Sequence, residues 1–134
     1  MSSDQNDALA AARALITARA SEGRHHVAAT LITTSGRAHT AVNTDSILGR
    51  AAICAEAVAL GMACAAESGA EIAFAVAVNR RLEIIPPCGL CRELMLDYSS
   101  DALIAVADDS AAGFRAVPLA ELMPSAYKAG RRGV

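Results

Sequence analysis

The segment Ile72–Val78, IAFAVAV in one-letter code, restricts the possible folds of this chain more than any other feature. It is apolar at every position, and it is far shorter than the roughly 18 residues that a membrane-spanning helix requires. A strand with apolar side chains on both faces must be covered on both sides, as in the centre of a sheet that lies between layers of helices. The segment therefore predicts a sheet with helices on both faces.

Periodicity and turn residues predict the elements around this strand. In the first predicted helix, Leu9, Ala12 and Ile16 fall on one stripe. The expected order is helix, two hairpin-paired strands, helix, strand, helix, two strands and a short helix, over residues 7–20, 27–34, 37–43, 51–67, 72–78, 88–98, 102–107, 114–117 and 118–123. Pro86 ends a further short strand at Ile84–Ile85. Paired strands followed by βα alternation predict one α/β domain over residues 1–134, a three-layer α/β/α sandwich with a mixed five-stranded sheet.

Composition restricts the partners of this domain. The 134 residues include 32 alanines and only 3% aromatics, so each side chain buries little area, and we expect an oligomer interface or a bound metal to complete the stability. The net charge is −2, with 12 Lys and Arg against 14 Asp and Glu, which argues against a nucleic-acid partner. Residues 1–7 are polar and unlike a signal peptide, so we expect a cytoplasmic protein without a membrane partner.

The four cysteines fall into a pattern that is typical of metal binding or catalysis in a reducing compartment. Cys88 and Cys91 are three positions apart in the sequence PCGLC, so both sulfurs share one helical face and can bind one ion. Cys54 and Cys88 each lie at the start of a predicted helix, where free N–H groups favour the thiolate. Cys64 lies deep in an alanine-rich helix, and we interpret it as a small buried apolar residue.

Three sulfur ligands, from Cys54, Cys88 and Cys91, leave the fourth tetrahedral position of a zinc ion to water, as in catalytic zinc sites. Glu56 follows Cys54 by two residues and can approach that water without binding the metal. Water activated by zinc, with a carboxylate that moves its proton, can attack the amidine-like carbon of an aminopyrimidine and release ammonia. Alone, the paired cysteines also fit a redox pair or half of a structural zinc site. The Cys-Ala-Glu segment, 34 positions before Cys88, favours catalysis.

This combination is the zinc deaminase pattern, and the chain resembles the cytidine deaminase family in its short, homotetrameric nucleoside-deaminase branch. The resemblance covers nearly the whole chain. Residues 27–31, 35–37 and 42–43 resemble the opening hairpin of the family, and residues 121–127 resemble the closing segment of blasticidin-S deaminases. It implies a three-layer α/β/α fold, one zinc per subunit, a homotetramer with active sites completed across interfaces, a nucleoside-like substrate and a role in pyrimidine salvage.

The same resemblance implies the residues that bind substrate, which are Asn43, Asp45, His25, Ala55 and Tyr127. The family has Asn-x-Glu after its second strand to hold the ribose, and here Asp45 supplies a shorter carboxylate. His25 takes the place of an aromatic residue that stacks on the pyrimidine. Both features have simpler interpretations, since Asn-x-Asp is ordinary turn chemistry and neighbouring histidines at a strand entrance are typical of a surface.

A further departure concerns the charge of the metal site. Family members often have an arginine directly after the catalytic glutamate, hydrogen-bonded to the zinc thiolates, and this chain has Ala57 there. Arg92, after Cys91, or Arg50 can substitute and reduce the negative charge of three thiolates. Arg92 is equally compatible with an exposed helical position.

These features favour a zinc-dependent hydrolytic deaminase of a cytosine nucleoside, either cytidine or deoxycytidine. An alternative enzyme is a deaminase of aminonucleoside antibiotics of the blasticidin type, which Tyr127 favours, or of another aminated base. Two other classes remain open. One is a zinc-stabilised module in which Glu56 has no catalytic role, and the other is a thiol–disulfide protein that uses Cys88 and Cys91.

Overall fold

The computed structural model of the chain describes residues 2–128. Within this range there are three α-helices and six strands: α1 (Ser2–Arg19), β1 (Val27–Thr33), β2 (Ala38–Val42), α2 (Ala55–Ala66), β3 (Ile72–Asn79), β4 (Ile84–Ile85), α3 (Gly89–Leu96), β5 (Leu103–Ala107) and β6 (Phe114–Pro118). Two short 3₁₀ helices cover Gly49–Ala51 and Leu119–Leu122. Within residues 2–128, no helix has the length and apolar character to cross a bilayer.

The sheet is mixed, as predicted, and has the strand order β2-β1-β3-β5-β6. β3 pairs in parallel with β5, and the other neighbours pair antiparallel. The short strand predicted at Ile84–Ile85 is present as β4, and it also joins the sheet by pairing with β3, through Ala77–Ile85 and Val78–Ile84, so the sheet has six strands within the described residues instead of five. A two-residue strand is too short for its pattern to predict its partner.

Helices cover both faces of the sheet, which confirms the three-layer fold class. The α1 stripe of Leu9, Ala12 and Ile16 is buried and packs into a cluster with alternate residues of β3, namely Phe74, Val76 and Val78. The opposite face of β3 presents alanines to the other two helices, and there Ala75 packs in a cluster with Leu60 of α2 and Met95 of α3. The continuous apolar run of β3 thus contributes side chains to two hydrophobic clusters, one on each face of the sheet.

Small side chains bring the beginning of α2 close to the sheet. Ala55, the first residue of the helix, packs in a buried cluster with Ala29 of β1 and Ala77 of β3. A methyl group from each element leaves little distance between the helix and the strands behind it. The alanine-rich composition therefore determines how closely the start of α2 approaches the sheet.

The ends of three helices differ from the sequence-based expectation. α1 was predicted from residue 7 and begins at Ser2. The helix predicted from residue 51 begins only at Ala55, because Ile53 is held extended by two backbone hydrogen bonds with Thr44, of 2.9 and 3.0 Å. The closing helix predicted over residues 118–123 is only a 3₁₀ turn, since β6 continues to Pro118. In consequence, Cys54 lies just before α2 instead of inside it.

Cys64 corrects a further prediction, because it is exposed on α2 and not buried. The buried residues of this helix are Ala55, Glu56, Ala59, Leu60 and Ala63. Cys64 falls one position beyond that stripe, where helical rotation turns it to the outside. A helix in which half of the residues are alanine shows too little polar contrast to reveal its buried face.

Glu67 anchors the opposite end of α2 to the β1–β2 hairpin. Its carboxylate accepts hydrogen bonds from the Ser35 hydroxyl, from Thr33 Oγ1 at 3.0 Å and from His39 Nε2 at 2.6 Å. The side chain is only 10% exposed. The Ser35 and His39 hydrogen bonds lower the pKa of Glu67 from 4.5 to about 2. The charged form is therefore favoured in the folded state.

We expect Glu67→Gln to lower the melting temperature at neutral pH. The amide has one oxygen acceptor and no charge, so it cannot accept all the hydrogen bonds that the carboxylate accepts. A carboxyl whose pKa is lower in the folded state stabilises the fold above its usual pKa, and that contribution is lost as the pH falls. The difference in melting temperature should thus be complete above about pH 4.5 and should vanish as the pH approaches 2. Scanning calorimetry across this range measures it.

The exposed Glu22 gives the matched control, and Glu22→Gln should change the melting temperature little at any pH. A destabilisation by Glu67→Gln that stays constant from pH 7 down to about pH 2 would contradict the assignment.

Candidate metal centre and cavity

Three cysteines meet where α2 and α3 begin. Cys54 and Cys88 immediately precede these helices, and Cys91 lies in the first turn of α3. Their sulfur atoms all lie within 4.8 Å of one another, and Cys54 Sγ is 3.5 Å from Cys88 Sγ. Two sulfurs that bind one zinc tetrahedrally at about 2.3 Å are about 3.8 Å apart. The structure therefore brings together the three predicted cysteines at a spacing that can hold one metal ion.

Cys54 and Cys88 hold equivalent positions, each directly before a helix. The carbonyl groups of Cys54 and Cys88 accept the first helical hydrogen bonds, from Val58 at 3.1 Å and from Arg92 at 3.0 Å. The Cys54 side chain makes no capping hydrogen bond. The Cys88 sulfur, in contrast, interacts with the backbone N–H of Cys91, in the first turn of α3. Two helix N-termini thus direct their positive ends to the same place, which favours negative charge there.

The pKa values of the three cysteines indicate that the thiols can all ionise only beside a cation. Burial and the hydrogen bond with Cys88 raise the pKa of Cys54. Burial and the nearby Glu56 carboxylate raise the pKa of Cys91 well above its usual range. Burial also opposes ionisation of Cys88, but the backbone N–H of Cys91 and the neighbouring thiols outweigh it and lower the pKa of Cys88. Three thiols this close cannot all ionise unless a metal supplies positive charge, and thiolates are ligands that zinc prefers.

Glu56 is the second residue of α2 and is only 6% exposed. Burial raises the pKa of its carboxyl above the usual value, although its own backbone N–H and the Cys91 thiol act in the opposite direction. A carboxyl with a raised pKa can both accept and donate a proton at a pH closer to neutral. The arrangement therefore places a carboxyl that is able to exchange protons beside a cluster that could hold a metal ion.

A cavity of about 220 Å³ opens beside this cluster. Its walls come from β1, the end of β2, the start of α2 and the loop before α3, and the lining residues are Val27, Asn43, Thr44, Ala52, Ile53, Cys54, Ala55, Glu56, Ile85, Pro86 and Cys88. A larger depression of about 460 Å³ lies under the C-terminal segment, between Asp101 and Lys128. Its lining contains neither the three cysteines nor Glu56. The smaller cavity, which Cys54, Cys88 and Glu56 line, is therefore the candidate active site.

The predicted substrate-binding residues separate into three groups according to their position relative to the cavity. Asn43 and Ala55 line the cavity. His25 and Asp45 belong to a hydrogen-bonded group beside Asn43, outside the lining. Tyr127 is 76% exposed and lies outside the lining as well. The structure thus brings four of these five residues to the cavity or to its wall, and their roles remain predictions.

Arg92 connects the loop before α3 to the C-terminal part of the chain. Its Nε donates to the carbonyl oxygen of Pro87 at 2.8 Å, and Nη1 donates to that of Leu122 at 3.1 Å. Arg50 is exposed. The contact of either arginine with the thiolates stays a prediction.

Several lining residues were not predicted from the sequence. Val27 begins β1, Ile85 ends β4, and Ile53 and Pro86 lie in the loops before the two cysteine-bearing helices. Because β1 and β4 both pair with β3, the strand order brings Val27 and Ile85 to the same region. The only sequence signal was the position of Ile53 and Pro86 close to Cys54 and Cys88.

Known proteins match both the sequence and the fold. The protein-family sequence model described as "cytidine and deoxycytidylate deaminase zinc-binding region" matches residues 1–107 of this chain. Blasticidin-S deaminase from Bacillus cereus is 34% identical over 98 residues, which cover 68% of this chain and 70% of that protein.

Among solved structures, a point mutant of cytidine deaminase from Mycobacterium tuberculosis is 26% identical, with a TM-score of 0.76 over 94% of this chain and 96% of that chain. Cytidine deaminase from Burkholderia pseudomallei is 26% identical, with a TM-score of 0.74 over 90% of this chain and 97% of that chain. Together with the cysteine cluster, these matches show that the chain belongs to the cytidine and deoxycytidylate deaminase family, as a zinc-binding hydrolytic deaminase that acts on C–N bonds.

Proposed function

We propose that this chain deaminates a cytosine nucleoside, with Cys54, Cys88 and Cys91 as zinc ligands and Glu56 as general acid and base. The observation that carries this proposal is the buried Glu56 carboxyl, which lines one cavity together with Cys54 and Cys88, two members of the three-cysteine cluster. The solved cytidine deaminases support the nucleoside, because they match 90% or more of this chain at 26% identity.

Glu56 performs the proton transfers of the reaction. Zinc, when bound, supplies the Lewis acidity that activates water as a nucleophile at neutral pH. The Glu56 carboxylate takes a proton from that water and donates it to the ring nitrogen of the base. A second proton from the water reaches the amino group by the same carboxyl, so the C–N bond breaks with release of ammonia and the ring gains a carbonyl oxygen. The raised pKa of Glu56 suits both directions of transfer.

A second candidate substrate is an aminonucleoside antibiotic of the blasticidin type. The 34% identity to blasticidin-S deaminase supports it. Tyr127 lies in the closing segment that resembles those deaminases, and its side chain is 76% exposed.

We also propose that the protein is cytoplasmic and that it forms a homotetramer. The assembly is supported by the small cavity of one chain and by the large apolar side chains around it. Ile47 and Leu48, in the loop between the lining residues Thr44 and Ala52, are 104% and 73% exposed. Leu90, between Cys88 and Cys91, is 81% exposed. A neighbouring subunit that covers these residues would enclose the cavity and bury apolar surface that the alanine-rich core does not provide.

Removing the zinc ligands should remove the metal. We expect the purified protein to carry about one zinc per chain, and the double variant Cys54→Ala, Cys88→Ala to lose both zinc and thermal stability, because structure formation and metal binding are coupled. Elemental analysis and thermal melting measure the two effects. Cys64→Ala is the matched control, since Cys64 is exposed and outside the cluster, and it should keep its zinc. Full zinc retention in the double variant would end this assignment.

Glu56→Gln should lower turnover by roughly 10²–10⁴, the usual loss when acid–base catalysis is removed. Zinc content should not change, since the carboxyl is not assigned as a ligand. Steady-state ammonia release and metal analysis on the same sample test both statements, with the exposed Glu121→Gln as control. Normal turnover of Glu56→Gln would refute the role of Glu56.

The substrate is tested by ammonia release from cytidine, deoxycytidine, cytosine and blasticidin S with zinc-loaded protein. We expect the two nucleosides to give a much higher kcat/KM than cytosine, because a site with polar groups in its wall discriminates against a ligand that leaves them unpaired. Turnover of blasticidin S alone would favour the second candidate. Absence of ammonia from all four compounds would contradict the proposed substrate class.

A further inference from the structure

The loop that leads into α3 contains two successive prolines, Pro86 and Pro87, directly before Cys88. Proline has no backbone N–H, so the backbone of these two residues can be held by hydrogen bonds only at its carbonyl oxygens. Pro87 is buried, and together with Glu56 it lines a small internal cavity of about 10 Å³. The group that donates to the Pro87 carbonyl therefore affects both a cysteine of the cluster and the surroundings of Glu56.

Arg92, in the second turn of α3, donates to this loop with its side chain and with its backbone. Its Nε donates to the Pro87 carbonyl at 2.8 Å, and its backbone N–H donates to the Cys88 carbonyl at 3.0 Å. These two carbonyls belong to the planar peptide groups on either side of the Cys88 α-carbon. Holding both of them restricts φ and ψ of Cys88, which are −68° and 168°, and with them the direction of its side chain.

The same guanidinium group reaches the C-terminal part of the described chain. Nη1 of Arg92 donates to the Leu122 carbonyl at 3.1 Å, at the end of the 3₁₀ helix that follows β6. The Leu122 side chain packs against the buried cluster that contains Cys91 and Met95 of α3. Because the donors of a guanidinium group form a rigid fork, its two hydrogen bonds hold the cysteine loop and the 3₁₀ helix at a defined separation.

We propose that Arg92 is a positioning residue of the metal centre, which fixes the backbone of Cys88 and ties it to the 3₁₀ helix Leu119–Leu122. It acts through the carbonyl groups of Pro87 and Leu122, whereas the sequence suggested an action of its charge on the thiolates. The assignment of Cys88 as a zinc ligand rests on the proposed function. The tether between the loop and the 3₁₀ helix is a property of the chain itself.

Hydrogen exchange of the zinc-loaded protein tests the tether without reference to activity. The amides of residues 92 and 123 form hydrogen bonds in the first turn of α3 and at the end of the 3₁₀ helix. In Arg92→Ala, we expect the protection factors of both amides to fall about ten-fold or more, because the two segments open more easily once they are separated. Unchanged protection in the folded variant would overturn the proposal.

Arg13→Ala is the matched control for this experiment. Arg13 Nε also donates to a backbone carbonyl, that of Leu82 at 3.0 Å, but it does so from α1 to the turn after β3. The protection of residues 92 and 123 should not change in this variant.

Cobalt in place of zinc reports the geometry of the metal centre, because its d–d absorption bands depend on the arrangement of the ligands. In Arg92→Ala, we expect these bands to shift and the metal affinity to fall about 10–100-fold, the usual effect of removing a group that orients a ligand. Competition with a chelator measures the affinity, and Arg13→Ala should leave both quantities unchanged. Original bands and original affinity in Arg92→Ala would show that Arg92 does not position the metal ligand.

Arg92→Lys separates position from charge, and it also covers the case in which the alanine variant folds poorly. Lysine keeps the positive charge but has one nitrogen in place of the fork. We expect it to recover only part of the metal affinity and of the protection at residue 123. Complete recovery of the affinity and of the cobalt bands would show that the charge is sufficient, and the positioning role would be wrong.

Kinetics connect the tether to turnover. Arg92 lies outside the lining of the candidate active site, so Arg92→Ala should lower kcat roughly 10-fold or more with little change in KM. A loss confined to KM would contradict a role at the metal centre. If the original chain bound no zinc or released no ammonia from any nucleoside, the proposed function would fail, whereas hydrogen exchange would still decide whether the tether exists.

Discussion

The free energy needed to ionise three thiols within 4.8 Å of one another, where burial already disfavours charge, is the constraint on which the site depends. Without positive charge, neither Cys54 nor Cys91 ionises readily, because burial and neighbouring groups raise the pKa of both. The fold provides part of that charge by bringing the N-termini of α2 and α3 to one point. The zinc ion that this family binds would supply the rest at the three cysteines.

Bringing a helix start this close to a sheet requires small side chains. Ala29, Ala55 and Ala77 meet under the beginning of α2, next to Cys54 and Glu56. At the other end of the same helix, Glu67 is hydrogen-bonded to the β1–β2 hairpin. α2 is thus held at both ends, so the distance of Glu56 from the cysteine cluster is determined by packing at one end and by polar contacts at the other.

Prediction from the sequence succeeded where a local pattern carried the information. The apolar run of β3, the stripe of α1 and the spacing of the three cysteines each reflect a short-range regularity, and the structure has all three. Failures occurred where a long-range contact decides. Strand β4 was predicted but its pairing with β3 was not, and α2 starts late because Thr44 bridges Ile53. No sequence pattern marks either contact.

The cavity wall shows the same limit. Asn43 and Asp45 were recognised as polar residues at the end of a strand, but their hydrogen bonds with residues 25–27 depend on the way the hairpin closes. Likewise, Cys64 was predicted to be buried because a helix rich in alanine gives little contrast between its faces, and the structure exposes it. Alanine is compatible with both a core and a surface, so its position is decided by the elements that pack on it.

The most direct measurement of the central claim is X-ray absorption at the zinc K-edge of the purified protein. The account predicts a four-coordinate zinc with three sulfur ligands at about 2.3 Å and one oxygen or nitrogen at about 2.0 Å, because three cysteines bind and the fourth position stays open. A zinc with four sulfur ligands would indicate a closed structural site. A zinc with fewer than three sulfur ligands would contradict the assignment of Cys54, Cys88 and Cys91.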